Sequence, residues 1–141
     1  MKTSLSLDWK DKMAFESELN GHKITIDAVD AVGGEDRGPR PKPLMLLSLA
    51  GCTAMDVISI LKKMRVEPDN FQVEVVANHT DEHPKHYDEM HVIYKFWGKD
   101  LPEDKIQKAV DLSEERYCGV SYVYKHYVKM SNEIQLNPKK A

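Results

Sequence analysis

Cysteine is scarce in this sequence: Cys52 and Cys118 are the two among 141 residues. Two cysteines are too few for a structural zinc site, and their wide separation excludes a Cys-x-x-Cys redox motif. The amino-terminal stretch MKTSLSLDWKDK lacks the apolar core of a signal peptide. We therefore expect a reducing, cytoplasmic compartment, in which the cysteines are free thiols or a redox pair.

An excess of positive charge is also missing, since the net charge is −3. A nucleic-acid partner requires a basic face, so none is expected. There is no phosphate-binding loop, glycine-rich nucleotide turn or Ser/His/Asp constellation, and we expect no cofactor and no metal. The apolar run 44–61 approaches membrane-spanning length but contains Asp56, so we expect no membrane. The length predicts a single domain over residues 1–141.

The most informative stretch is 43–64, PLMLLSLAGCTAMDVISILKKM. Prolines at 39 and 41 keep the approach extended, and Pro43 suits the first turn of a helix. Apolar residues then fall on nearly every side of this helix. Because a helix that is apolar all round must be surrounded, we predict a long, buried central helix. Residues 50–54 are all small, which predicts that another backbone packs closely at Gly51.

The polar exceptions in this helix lie on one face. Ser48, Cys52, Asp56 and Ser59 follow one another at steps of four, four and three residues. A thiol on a polar stripe indicates a reactive site. A small cysteine among small neighbours is equally typical of a core position, and this stretch alone leaves both interpretations open.

Strand patterns flank the helix on both sides. Before it, the segments 4–9, 13–19 and 23–29 predict an antiparallel meander, with Asn20-Gly21 as a hairpin turn. A polar loop over 31–43 is well placed to line a site. After the helix we predict a hairpin of strands 71–77 and 90–97, a helix over 103–116, a fresh helical turn after Cys118 and a last strand over 128–136. The fold class is therefore α+β.

Histidines and acids are concentrated between residues 79 and 91. The segment contains four histidines and four carboxylates: His79, Asp81, Glu82, His83, His86, Asp88, Glu89 and His91. Such residues could bind a divalent metal, but Pro84 interrupts a predicted hairpin loop. We favour a mobile, solvated and metal-free loop.

The two thiols have different local electrostatics. Cys118 follows Arg116 and opens a helical turn, and both features stabilise a thiolate. Cys52 has Asp56 one turn away, which disfavours its thiolate. A reactive Cys52 therefore needs a cation from elsewhere, and the candidates by position are Lys12, Arg37, Arg40 and Lys42. We expect the tyrosines at 117, 122, 124 and 127 to be packing residues.

Two motifs resemble those of one family. The segment 38–57, GPRPKPLMLLSLAGCTAMDV, is similar to the helix of OsmC-like proteins, the osmotically inducible protein C and organic hydroperoxide resistance family. The segment 109–120, AVDLSEERYCGV, resembles the second family motif around Tyr-Cys-x-Val. The resemblance implies an α+β fold with curved antiparallel sheets around a long buried central helix, built as an intertwined homodimer.

The resemblance also implies a chemistry. In the peroxidase members the first cysteine attacks a small hydrophobic hydroperoxide, the second resolves the sulfenic acid as a disulfide, and a dithiol reductant restores both. Cys52 and Cys118 match these two positions. The family's activating arginine and glutamate are not matched, because the hairpin offers Lys10 and Lys12 and the glutamate's place is taken by Lys42 and Pro43.

Two hypotheses follow. The first is a thiol peroxidase that acts on organic hydroperoxides in oxidative stress defence, with Cys52 as nucleophile, Cys118 as resolving thiol and a cation from Lys12, Arg37 or Arg40. The alternative is a non-catalytic small-molecule-binding protein of the same family that has lost the arginine–glutamate pair.

Overall fold

The computed structural model describes residues 1–140, which form an α+β chain of two compact units. The first unit is Met1–Met45 and the second begins at Leu46. The prediction of one domain over 1–141 stays a prediction.

The amino-terminal unit is built on a three-stranded antiparallel sheet. Its strands are β1 (Asp8–Asp11), β2 (Ala14–Leu19) and β3 (His22–Ile26), in the order β1-β2-β3. The predicted turn is confirmed, since Asn20 and Gly21 both have positive φ, 52° and 80°, as a tight hairpin turn requires. The first strand begins at Asp8 rather than at residue 4, so the alternation before it does not continue the ladder.

The polar loop that follows β3 is tied to one carboxylate. Asp27, whose side chain is fully buried, accepts hydrogen bonds from the backbone N–H groups of Ala28, Glu35 and Arg37. A short 3₁₀ turn at Asp30–Val32 lies inside this loop. The loop also passes close to its own backbone: a Cβ on Gly34 would lie 1.9 Å from the carbonyl oxygen of Ala28. We call residues 27–40 the Asp27 loop.

The second unit contains the other helices and strands. They are α1 (Pro43–Lys63, in this unit from Leu46), β4 (Asn70–His79), β5 (Tyr87–Trp97), α2 (Glu103–Leu112), a π-helical turn (Ser113–Tyr117), α3 (Gly119–Tyr124) and β6 (Lys129–Leu136). The predicted β4–β5 hairpin is confirmed as an antiparallel pair. The expected antiparallel pairing is wrong for β6, which pairs in parallel with β5. A parallel partner requires a crossover connection, and α2, the π-helical turn and α3 supply it.

The core of this unit forms around one stripe of α1. Leu49, Thr53, Val57 and Leu61 are buried at steps of four residues, and a single cluster joins the apolar members of this stripe to side chains of β5 and α2: Met90, Val92, Tyr94, Phe96, Ile106, Ala109 and Val110. The prediction that this helix is buried is therefore confirmed along one face within this chain.

Several apolar residues of α1 outside this stripe are uncovered in the single chain. Leu47, Met55 and Ile58 are 65%, 77% and 42% exposed. The close approach predicted at Gly51 is not made among the described residues, because a Cβ there would meet nothing within 4 Å. By length and composition alone, α1 is also apolar enough to cross a membrane.

Candidate active site

The fold brings the two cysteines together. Both are free thiols, with Cys52 half-buried on α1 and Cys118 buried. The two sulfur atoms and a carboxylate oxygen of Asp56 all lie within 4.8 Å of one another. Among residues 1–140 this is the one such group of three cysteine, histidine or acidic side chains. Two of its three members are free thiols, and we call the group the thiol site.

An unusual turn carries Cys118 to this position. The helix predicted over 103–116 ends at Leu112 and widens into the π-helical turn, a distortion that is frequent at functional sites. The backbone N–H of Cys118 donates to the carbonyl oxygen of Ser113 at 2.7 Å. The Cys118 sulfur in turn accepts from the N–H of Ser121 at 3.3 Å and caps α3, which confirms the predicted fresh helical turn.

The electrostatics of Cys118 differ from the prediction. Burial raises the pKa of the Cys118 thiol, and the hydrogen bonds from Ser121 only partly oppose this effect. Arg116 does not reverse it: its guanidinium lies over the ring of Tyr117, 5.7 Å from the centroid. The expectation that the helical turn and Arg116 make Cys118 a stabilised thiolate is therefore wrong, because loss of hydration outweighs them.

A chain of buried hydroxyl groups begins at the thiol site. Ser113 donates to a carboxylate oxygen of Asp56 at 3.0 Å. The Thr53 hydroxyl lies 2.8 Å from that of Ser113 and 2.7 Å from that of Tyr94. Tyr94 contacts a carboxylate oxygen of Glu114 at 2.9 Å. All three hydroxyl-bearing residues are fully buried, so they connect two carboxyl groups through the core. We call Ser113, Thr53 and Tyr94 the hydroxyl chain.

Burial also affects the far end of this chain. It raises the pKa of the Glu114 carboxyl, although Tyr94 and Asn132 both hydrogen-bond to it. It raises the pKa of Tyr94 as well, so the phenol stays protonated. The Glu114 end of the hydroxyl chain therefore favours neutral, protonated groups.

Comparison with known proteins places this site in a family. Residues 33–133 match the family model described as OsmC-like protein. The chain belongs to the OsmC-like family. Protein YhfA of Escherichia coli K12 is 29% identical over 129 residues, which are 91% of this chain and 93% of YhfA.

Solved structures agree with this assignment. A hypothetical protein from Aquifex aeolicus is 30% identical, covers 98% of this chain and 100% of its own, and superposes with a TM-score of 0.80. The organic hydroperoxide resistance protein OhrB of Bacillus subtilis superposes with a TM-score of 0.67 over 96% of this chain and 98% of its own. At 16% identity, OhrB supports the fold alone. In this OsmC-like fold α1 is a core helix.

Three of the four cations predicted for the thiol site have carboxylate partners within the amino-terminal unit. Arg37 pairs with Asp11 and with Asp27. The other two are also engaged there, Arg40 with Asp36 and Lys12 with Glu35. Their predicted role at Cys52 stays a prediction.

Sequence reasoning missed the hydroxyl chain. In the sequence, Thr53 is one of the small residues beside Cys52, and Tyr94 is one residue of the predicted strand 90–97. Ser113 and Glu114 gave no signal, because the helix was predicted to continue through them. A threonine in the middle of an apolar helix was the one available clue, since a buried hydroxyl needs a partner.

The structure also describes the predicted histidine segment and the four tyrosines near Cys118. The histidine segment spans the β4–β5 hairpin, where the N–H of Thr80 donates to the carbonyl of His86 at 2.9 Å. Its mobility and lack of metal stay predictions. The tyrosines expected to pack are mostly exposed: Tyr117, Tyr122 and Tyr127 are 54%, 61% and 89% exposed, and of the four only Tyr124 packs against the core.

Proposed function

We propose that this protein is a thiol-dependent peroxidase that reduces organic hydroperoxides in the cytoplasm, as part of oxidative stress defence. The observation that carries the proposal is the adjacency of two free thiols at the positions of both family motifs. The family itself includes proteins described as organic hydroperoxide resistance proteins.

The reaction uses each thiol once. The Cys52 thiolate attacks one peroxide oxygen, so that a sulfur–oxygen bond forms, the oxygen–oxygen bond breaks and the leaving alkoxide takes a proton to become an alcohol. Cys118 then loses its proton and attacks the sulfenic sulfur; the disulfide forms, and the departing hydroxide takes a proton to become water. A dithiol reductant restores both thiols by exchange.

The roles are asymmetric for a physical reason. Cys52 is the more accessible thiol, whereas Cys118 is buried and capped by Ser121. Because burial raises the pKa of Cys118, this residue remains a protonated thiol until the sulfenic acid of Cys52 forms beside it. Lys12, Arg37 or Arg40 is the proposed cation that stabilises the Cys52 thiolate.

The test is stopped-flow reaction of the reduced protein with cumene hydroperoxide. We expect the wild type to consume one equivalent and to lose both free thiols. Cys52→Ser should not react, and Cys118→Ser should stop at a sulfenic acid that dimedone traps. If hydroperoxide leaves both wild-type thiols free, the peroxidase proposal is wrong.

A second function is favoured by the cations. All three candidates have carboxylate partners in the amino-terminal unit, which is the state expected if the protein is a non-catalytic, small-molecule-binding member of the family. The rate at which Cys52 is alkylated at neutral pH distinguishes the two. In the peroxidase, Lys12→Ala, Arg37→Ala or Arg40→Ala should slow alkylation; in the binding protein, all three variants should match the wild type.

We also propose that the protein is a homodimer in which a second copy covers the exposed face of α1. The support is the row of uncovered apolar residues opposite the buried stripe, which includes Leu47 and Met55. Light scattering should report a dimer at micromolar concentration. Met55→Lys should weaken the dimer, whereas Val76→Lys, an equally drastic change at an exposed residue of β4, should not. A stable wild-type monomer would contradict this proposal.

A further inference from the structure

The hydroxyl chain links two carboxyl groups through four oxygen–oxygen contacts. In order, these contacts run from Asp56 to Ser113 at 3.0 Å, to Thr53 at 2.8 Å, to Tyr94 at 2.7 Å and to Glu114 at 2.9 Å. Every one of these distances is that of a hydrogen bond, so each contact requires one proton between its two oxygens.

The hydroxyls alone do not supply enough protons. Each hydroxyl has one proton to donate, and an ionised carboxylate has none. With both carboxyls ionised, Ser113 donates to Asp56 and Tyr94 donates to Glu114, which leaves the single proton of Thr53 for two contacts. One contact would then bring lone pairs together in a fully buried position, which is unfavourable where the local dielectric is low.

One carboxylic proton satisfies all four contacts, and it does so in two ways. With the proton on Asp56, every hydrogen bond is donated in the direction of Glu114. With the proton on Glu114, every hydrogen bond is donated in the direction of Asp56. The two arrangements differ only by one step of each proton along the chain.

We propose that Asp56 and Glu114 hold one proton between them and that Ser113, Thr53 and Tyr94 relay protons from the thiol site to Glu114. The shared proton follows from the contacts alone. The relay of thiol protons rests on the proposed function, in which Cys52 and Cys118 are oxidised by an organic hydroperoxide.

The surroundings determine where the proton rests. Asp56 faces the thiols of Cys52 and Cys118 and the hydroxyl of Ser113. Glu114 accepts hydrogen bonds from Tyr94 and Asn132. The negative charges of Asp111 and Glu115 are close enough to act on it. Burial raises the pKa of Glu114, and Asp111 and Glu115 add to this effect; in the proposed relay we assign the resting proton to the Glu114 end.

The proton balance of one cycle is as follows. In the resting arrangement Asp56 is a carboxylate, and it takes the proton that a thiol must lose before the disulfide forms. Glu114 releases its own proton to water, and the three hydroxyls turn so that each donates towards Glu114. A step of each proton along the chain then moves the proton from Asp56 to Glu114. The net transfer is one proton from a thiol to water; the electrons pass to the hydroperoxide, whose products take their protons from water.

The first experiment counts the shared proton without any oxidant. Side-chain ¹³C NMR of labelled Asp and Glu residues at neutral pH should show one of the two carboxyls protonated in the reduced wild type. Thr53→Val keeps the side-chain shape and removes the middle hydroxyl, so Ser113 and Tyr94 can both donate outwards. We expect both carboxyls to be ionised in this variant.

The control is Thr25→Val, the same substitution in β3 of the amino-terminal unit, which should keep the protonated carboxyl. Should Thr53→Val fail to fold, Ser113→Ala relieves the same shortage and carries the same expectation. Two ionised carboxyls in the wild type, or a protonated carboxyl that persists in Thr53→Val or Ser113→Ala, would overturn the shared proton.

The second experiment measures disulfide formation with two oxidants. One is cumene hydroperoxide, and the other is diamide, which oxidises neighbouring thiols without an oxygen–oxygen bond. Because proton transfer by positioned groups contributes at least about a hundredfold in many enzymes, we expect Thr53→Val to slow disulfide formation by about tenfold or more. Thr25→Val should match the wild type.

The two oxidants separate this inference from the proposed function. If the wild type reacts with diamide and not with hydroperoxide, the peroxidase proposal fails, and the relay stands when Thr53→Val slows the diamide reaction. If Thr53→Val oxidises as fast as the wild type with both oxidants, the relay is wrong even though the peroxidase proposal stands.

Discussion

Asp27 and Asp56 show two ways in which one chain supplies a carboxyl group with hydrogen-bond partners. Asp27 lies in the amino-terminal unit and receives hydrogen bonds from three backbone N–H groups and from the guanidinium of Arg37. Asp56 lies in the second unit beside two thiols and a hydroxyl. The partners of Asp27 can only donate, whereas a hydroxyl can donate or accept.

This difference determines what each carboxyl can do. Burial alone would raise the pKa of Asp27, but its four donors together outweigh burial and lower it. The negative charge is therefore fixed, and the Asp27 loop is organised around it. The Ser113 hydroxyl beside Asp56 can either donate or accept. In the proposed relay it therefore passes a proton on, which the donor-only partners of Asp27 cannot do.

The largest expected effect tests the Asp27 loop. Gly34→Ala would place a Cβ 1.9 Å from the carbonyl oxygen of Ala28, and the backbone of the Asp27 loop would have to move. We expect a loss of about 3 kcal/mol or more in unfolding free energy, at the upper end of single substitutions. Chemical denaturation measures it.

A matched substitution serves as control. Gly119→Ala lies at the start of α3, where an added Cβ would meet nothing within 4 Å. It should leave stability unchanged or raise it by about 0.5 kcal/mol. Equal losses in the two variants would show that the Asp27 loop is not closely packed.

A smaller expected effect tests the hydroxyl chain that leads from Asp56. Tyr94→Phe removes one hydroxyl from a fully buried position and takes one hydrogen-bond partner from each of Thr53 and Glu114. We expect a loss of about 1–3 kcal/mol in unfolding free energy. Tyr87→Phe, in the same strand but only half-buried, should change it by less than about 0.5 kcal/mol. Similar values for the two would mean that the hydroxyl chain does not stabilise the core.

The smallest expected effect is on how the free energy of unfolding depends on pH. Because the folded pKa of Asp27 lies below its unfolded value of 3.8, its stabilising contribution is complete above that value and is lost as pH falls through the folded pKa. Because the folded pKa of Glu114 lies above its unfolded value of 4.5, its contribution is complete below that value and is lost as pH rises through the folded pKa. The two carboxyls therefore act in opposite directions.

Paired variants measure this. We expect Asp27→Asn to flatten the acid side of the curve of unfolding free energy against pH, and Glu114→Gln to flatten the side above pH 4.5. A Glu114→Gln curve that parallels the wild type over that range would contradict the raised pKa.

Much of the architecture could be predicted from local patterns. The Asn20-Gly21 turn, the long helix from Pro43 and the β4–β5 hairpin each depend on neighbouring residues, and all three are confirmed. The parallel pairing of β6 with β5 could not be predicted in this way. Strand direction in a sheet depends on the path of the intervening crossover, which no short segment encodes.

The sequence by itself determined which residues could do chemistry at the thiol site: its two cysteines lie in two recognisable motifs, with Asp56 one helical turn from Cys52. Only the tertiary structure decided their environment. The π-helical turn places Ser113 and Cys118 against α1, and β5 brings Tyr94 to Thr53 across 41 positions of sequence. Burial then raises the pKa of Cys118, contrary to what Arg116 beside it suggested. Hydration is lost through packing of distant segments, so its effect on a thiol or a carboxyl is absent from the local sequence.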